Sequence, residues 1–195
     1  GDASLTSLTQ QPKTTALGSK INSTFTPESI QFQESTLPTI KHVYDQWLFH
    51  GPRFQGIQKI AGLGLTGIAG NVKGQDPANC LVDNGGMDWI LDPTLFDSAM
   101  QLGAVWARHY SDITCLPTGF KSMQFFKSDI HSWNTTGGRS VDVMVHTVDK
   151  TFDGEVVCDL AIYGSDGNLC ILVESLAGIG SKAFNRFATA TASGN

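Results

Sequence analysis

A chain of 195 residues, 41% of them hydrophobic, can bury one substantial core, and two full domains would be crowded. A formal charge of −5 with no run of Lys or Arg excludes the concentrated positive surface that displaces counterions from nucleic-acid phosphates. No stretch approaches the roughly 20 apolar residues that span a bilayer, and the N-terminus lacks the basic-then-apolar pattern of a signal peptide, so a soluble, cytoplasmic protein is expected.

Residues 1–27 are rich in Ser, Thr, Gln and Lys and poor in periodic apolar positions, a composition that cannot offset its own ordering entropy and reads as a linker. The segment 184–195, ending Ala188-Thr-Ala-Thr-Ala-Ser-Gly-Asn195, has the same character, which leaves 28–183 as the folded domain. Both ends look cut from a longer protein. Phe54 to Val72 is a glycine-punctuated apolar stretch with room for two strands.

The one long helix opens at Asp92-Pro93, where Asp can cap and Pro suits the first helical position, and runs through Leu95, Phe96, Ala99, Met100, Leu102, Ala104, Val105 and Trp106. It is apolar round most of its circumference and needs cover on nearly every side. Leu116 to Lys127 supplies a further strand. Val141 to Val148 alternates Val141, Val143 and Val145 against Asp142, Met144 and His146, as a strand with one covered face would. Glu155–Tyr163 and Asn168–Leu176 flank Gly164-Ser-Asp-Gly167, a turn whose glycines can take positive φ, so the last three strands form an antiparallel meander. The fold class is therefore α+β, a curved antiparallel sheet wrapped about a central helix, which resembles the hot-dog fold.

Asp97 and Gln101 interrupt this helix four residues apart, one turn above the other on a single face. A buried carboxylate costs several kcal/mol unless a neighbour hydrogen-bonds it, and an amide at that spacing can do so. The competing reading is a first-turn acid favoured by the helix dipole, with Gln101 at the rim. Cys80, Cys115, Cys158 and Cys170 contain no Cys-x-x-Cys pair and read as buried free thiols. Asn22-Ser-Thr and Asn134-Thr-Thr match the glycosylation tripeptide, which has meaning only in a secreted protein.

Leu91-Asp-Pro-Thr-Leu-Phe-Asp-Ser-Ala-Met-Gln101 resembles the Pro-x-Leu-Leu-Asp-x-x-x-Gln/His signature of polyketide synthase dehydratases. Phe49-His-Gly-Pro-Arg-Phe-Gln-Gly56 is similar to their Tyr/His-Gly-Pro-x-Phe-Gln motif near the start of the second hot dog, and Leu116-Pro117 to the Leu-Pro that follows the helix, all in the family's order. The His-Gly-Pro form resembles iterative enzymes such as polyunsaturated fatty acid or enediyne synthases. The resemblance covers about 40–180 and marks the C-terminal, second half of a double hot dog.

The resemblance implies loss of water from a 3-hydroxyacyl thioester carried on the phosphopantetheine of an acyl carrier protein, with no metal or organic cofactor. A histidine of the first hot dog would take the α-proton, Asp97 would serve the departing hydroxyl, and Gln101 would orient Asp97. It also places His50, Gly51, Pro52, Phe54, Leu116 and Pro117 beside the substrate. The family's His-x-x-x-Gly-x-x-x-x-Pro motif is absent: His42, His50, His109, His131 and His146 are followed four residues later by Gln, Phe, Ile, Thr and Lys. An upstream hot-dog half, in the parent protein or in trans, is thus an expected partner, and the chain alone should be a poor dehydratase.

On the residues alone, His50 is equally a turn histidine packed on Trp47, Phe54 a core residue, and Arg53 a solvated side chain or a contact for the carrier protein or its phosphate. Trp89, Trp106 and Trp133 read as core filling. Three other functions remain open: a non-catalytic hot-dog module for acyl-carrier binding or synthase dimerisation, a hot-dog thioesterase, and a product-template cyclase. A single hot dog leaves a bare sheet edge, so self-association, as a homodimer, is expected.

Overall fold

The computed structural model describes residues 37–75, 91–126, 140–150, 154–165 and 167–188. The expected linker at 1–27, Cys80, Trp89, His131, Trp133 and both glycosylation tripeptides lie outside these residues. The chain enters through α1 (Ile40–His42), which widens directly into a π-helical turn, Val43–Trp47, closed by Leu48 N–H donating to the Val43 carbonyl at 2.9 Å. Ile40, Val43, Tyr44 and Trp47 fall at i, i+3, i+4 and i+7, and all lie in or against the core.

Seven strands follow among the described residues: β1 (Ile57–Gly64), β2 (Gly67–Lys73), β3 (Thr114–Gly119), β4 (Ser122–Phe125), β5 (Ser140–Lys150), β6 (Glu155–Tyr163) and β7 (Leu169–Ser181). They form one antiparallel sheet in the order β1-β2-β5-β6-β7-β3, with β4 also paired to β7. The Gly164–Gly167 turn joins β6 to β7, with Gly167 at φ 74° and Gly164 N–H donating to the Asn168 carbonyl at 2.9 Å. A bulge sets Asp159 opposite Glu174 and Ser175: Cys158 pairs with Leu176, Leu160 pairs with Val173, and Asp159 Oδ1 accepts from Ser175 N–H at 2.8 Å. That hydrogen bond holds Ser175 at φ 51°, and such bulges curve a sheet.

The long helix, α2 (Pro93–Ser111), lies against β1, β2, β3, β5 and β6, and within it only Pro93 and His109 are exposed. Asp92 caps it as the sequence predicts, its Oδ1 accepting from Thr94 N–H at 2.8 Å and Leu95 N–H at 3.1 Å. Leu95, Ala99, Leu102, Val105 and Trp106 meet the valines of β5 and the apolar residues of β1, β2 and β6 in one core. Trp106 fills that core and also donates its indole N–H to the Gly64 carbonyl at 2.9 Å. The antiparallel sheet around a helix is the hot-dog arrangement that the sequence predicts.

Two expectations need correction. Met144, expected on the open face of β5, is 1% exposed, because a second apolar cluster of Ala69, Ala161, Tyr163 and Leu172 surrounds it on the face away from the core cluster. The chain after 183 is not all tail: a 3-10 turn, Lys182–Asn185, carries Asn185 Nδ2 to the Asp112 carbonyl at 2.9 Å, and Ala188 is 1% exposed. Among the described residues no helix is long and apolar enough to cross a membrane.

Candidate active site

Asp97 lies in the second turn of α2, beneath the loop that links the π-helical turn to β1. Three local devices fix that loop. Phe54 N–H donates to the Gly51 carbonyl at 2.9 Å, closing the Pro52–Phe54 3-10 turn, and Gln55 Nε2 donates to the His50 carbonyl at 2.9 Å. Gly56 lets the loop press onto the helix, since a Cβ there would sit 2.2 Å from Ser98 Oγ and 2.6 Å from the Lys73 carbonyl oxygen.

Gln101 ties loop, helix and carboxylate together. Its Nε2 donates to Asp97 Oδ2 at 2.7 Å and to the Phe54 carbonyl at 2.7 Å, while its Oε1 accepts from Tyr44 O–H at 2.9 Å. Tyr44 in turn accepts from Ile57 N–H at 2.9 Å. Both ends of the amide are thereby committed, which fixes which end faces Asp97. Gln101 is only 2% exposed, so this network is shielded from competing water. Burial pushes the Tyr44 phenol well above its usual range, the Ile57 hydrogen bond partly offsets this, and the Asp97 charge adds to it; the hydroxyl stays protonated and donates.

His50 faces the same carboxylate, with Nε2 3.5 Å from Asp97 Oδ2, and their side chains are 18% and 29% exposed. Its ring stacks on Phe49, 4.7 Å between centroids at 18°, and its Nδ1 is buried without a hydrogen-bond partner among the described residues. Burial lowers the His50 pKa, and Asp97 works in the opposite direction. Trp47 instead meets His42 and His109, so the turn histidine packed on Trp47 is not what forms.

These groups stand at one side of a cleft of about 630 Å³, including its open mouth, between α2 and strands β3, β5, β6 and β7. Asp97, Gln101, His50, Leu116 and Pro117 line it, joined by Phe49, Met100, Gly103, Cys115, Thr147 and Cys158, which the sequence did not mark as site residues. Burial raises the Cys115 and Cys158 thiols to about 11 and about 12, Cys158 being raised further by Asp159 and Cys115, so both are neutral walls rather than nucleophiles. Gly51, Pro52 and Phe54 are exposed and do not line the cleft, and Phe54 at 41% is no core residue; the 3-10 turn swings its ring outward and leaves only its carbonyl in the network. Arg53 is exposed on the same turn. No group of residues that could hold a metal ion occurs among the described residues.

A carboxylate positioned by a buried amide at the edge of an otherwise apolar cleft is suited to acid-base work on a chain-like substrate. A family model described as the polyketide synthase dehydratase N-terminal domain matches residues 24–178. The chain belongs to the polyketide synthase dehydratase family. The description of that model names the N-terminal domain, not the second hot dog expected from the sequence motifs.

Solved dehydratase domains share the fold. That of RzxB from Pseudomonas fluorescens matches with a TM-score of 0.55 and 16% identity over 76% of this chain and 53% of its own. That of the CurK module of the curacin polyketide synthase gives 0.56 and 21% over 76% and 50%. A trans-acyltransferase polyketide synthase enoyl-isomerase gives 0.50 and 18% over 66% and 46%. The chain thus spans about half the length of the solved chains it matches. No curated protein sequence matches it.

Proposed function

We propose that this polyketide synthase dehydratase domain supplies the aspartate-bearing, second hot-dog half of a dehydratase acting on 3-hydroxyacyl thioesters of an acyl carrier protein. The observation that carries this reading is the Asp97 carboxylate held at 2.7 Å by the buried Gln101 amide in the wall of an apolar cleft. The chain's span of half the solved dehydratase domains, and its lack of the His-x-x-x-Gly-x-x-x-x-Pro motif, support an assignment to one half. A dehydratase of the CurK module is described as inactive both as an aspartate-to-asparagine and as a histidine-to-phenylalanine variant, which fits a two-residue division of labour.

In this mechanism the histidine of the partner half takes the proton from C2, and the C–H electron pair becomes the C2=C3 bond. The C3–O bond breaks as protonated Asp97 gives its proton to the oxygen, which leaves as water. The proton on the histidine then returns to Asp97, directly or through solvent, and resets the site. The apolar cleft excludes competing water, and Gln101 keeps Oδ2 engaged so that Oδ1 is offered to the hydroxyl. Arg53, exposed on the adjoining turn, is available to the phosphate of the carrier's phosphopantetheine arm. The outer strands β1 and β3 of the described sheet offer unpaired edges, and the isolated chain self-associates, a state that light scattering reads directly.

The fold also houses an enoyl-isomerase, so residues rather than architecture must carry the reading. The test is turnover of a 3-hydroxyacyl thioester by the intact parent region, following enoyl formation by mass spectrometry, native against Asp97→Ala. Loss of turnover on the order of a hundredfold or more in a folded variant supports the acid role; equal activity in both moves Asp97 to a structural one.

A further inference from the structure

The segment 182–188 follows β7 and lies beyond residues 24–178, which the family model matches, yet it is built onto the site. A stretch that leaves a sheet stays loose unless it is tied down, and this one is tied at both ends. Asn185 Nδ2 donates to the Asp112 carbonyl at 2.9 Å, at the C-terminal end of α2, and its Oδ1 accepts from the buried Thr114 hydroxyl at 3.0 Å, at the start of β3. Ser181 Oγ caps the 3-10 turn by accepting from Ala183 N–H at 3.1 Å, and Ala188 is buried at the far end. Two rings stand on the segment: Phe184 stacks on Phe187, 5.6 Å between centroids at 17°, and Phe187 meets Phe49 edge to face at 6.0 Å and 75°.

Phe49 is the ring on which His50 stacks, so the contacts run Phe184, Phe187, Phe49, His50, and the last of these faces Asp97 at 3.5 Å. Little else orients that imidazole. Gln55 holds the His50 carbonyl rather than its ring, Nδ1 has no hydrogen-bond partner among the described residues, and the Nε2 contact with Asp97 is longer than a normal hydrogen bond. The plane of the ring is therefore set by Phe49, and Phe49 is backed by Phe187. We infer that Phe187 is a positioning residue: through Phe49 it holds the His50 ring dry and turned toward Asp97, so that the segment after β7 completes the site. The inference rests on the dehydratase reading for the task of Asp97, and on the aromatic contacts alone for the positioning.

Burial is the main cause that lowers the His50 pKa. Removing Phe187 lets water onto the Phe49 and His50 rings, so the pKa rises, and a protonated His50 beside Asp97 favours the carboxylate over the acid that serves the leaving hydroxyl. The other titratable or charged groups about the site are placed differently. The Tyr44 phenol donates to Gln101 and stays protonated, the Cys115 thiol is neutral, and Arg53 is exposed on the adjoining turn. Arg186 lies over the Phe187 ring at 5.9 Å; its charge opposes protonation of His50 and is present in native protein and variant alike.

The test follows the His50 imidazole by proton NMR titration in the native chain, Phe187→Ala and Phe187→Tyr, with His50→Gln as the assignment control. Beside it, turnover of the 3-hydroxybutanoyl thioester of N-acetylcysteamine is measured across pH in the intact parent region carrying the same changes. In Phe187→Ala, His50 should titrate at higher pH than in native protein. Its kcat should fall about tenfold at about pH 6 and much less at about pH 8, with KM little changed. Phe187→Tyr keeps the ring and should restore both readouts. Phe187 is 37% exposed, so its truncation opens no sealed cavity; should Phe187→Ala nevertheless unfold, Asn185→Ala, which releases the segment and leaves every ring, carries the same two readouts. An unchanged His50 titration in folded protein, or a loss of turnover equal at every pH, overturns the inference. If native protein dehydrates nothing, yet the titration moves in Phe187→Ala and returns in Phe187→Tyr, the positioning stands and the dehydratase reading does not.

Discussion

The Gln101 amide stands 2.7 Å from Asp97 Oδ2, and its other end is held by the Tyr44 hydroxyl at 2.9 Å. A residue from the chain's first described helical segment, 57 positions away, therefore sets the orientation of the group that orients the carboxylate. Replacing Gln101 with Leu strips a partner from Asp97, from the Phe54 carbonyl and from Tyr44 at once. The expected cost is about 1–3 kcal/mol in denaturant unfolding, with turnover lower on the order of a hundredfold because the carboxylate is no longer positioned.

Tyr44→Phe probes the same network one step further out. It leaves Ile57 N–H without its acceptor and frees the Gln101 carbonyl. Stability should fall by about 1–3 kcal/mol, while turnover falls less than in Gln101→Leu, because the bond between Gln101 and Asp97 is kept. Steady-state kinetics beside an unfolding curve separates the two effects.

His50 makes acid stability legible. Burial lowers its folded-state pKa below the ordinary value of 6.5, so in the window just below 6.5 the unfolded chain binds the extra proton and stability rises with pH. The stability tied to neutral His50 is full above 6.5 and is lost as pH falls through the lowered folded value. His50→Gln should flatten this part of the stability-pH curve, measured by urea unfolding from neutral to mildly acidic pH. A curve identical to native removes His50 as the source.

Asp92 is expected to act on stability and little else. Its carboxylate accepts from Thr94 N–H, Leu95 N–H and the Thr94 hydroxyl at 2.7–3.1 Å. Asp92→Ala should lower unfolding stability by about 0.5–2 kcal/mol, with Asn recovering most of it.

Much of this arrangement was legible because it is local. Asp92-Pro93 announced the helix start, the i, i+4 spacing announced the Asp97–Gln101 contact, and the Val141–Val145 alternation announced the core face of β5. What escaped depends on contacts distant in sequence. Tyr44 has no local sequence signal as a site residue, because only the fold brings it to Gln101. Phe54 looked like a wall of the cleft, but the Pro52–Phe54 turn exposes its ring and uses its carbonyl. Met144 sits in a polar-looking register, yet a second cluster formed by β2, β6 and β7 buries it.

The most direct test of the central assignment is complementation. Dehydration of a 3-hydroxyacyl thioester is measured by mass spectrometry with this chain alone, with a histidine-bearing hot-dog half alone, and with both together, using native protein and Asp97→Asn. The expected result is enoyl product only from the pair carrying native Asp97. Full turnover by this chain alone, or by the pair carrying Asp97→Asn, contradicts the assignment of the chain as the aspartate half.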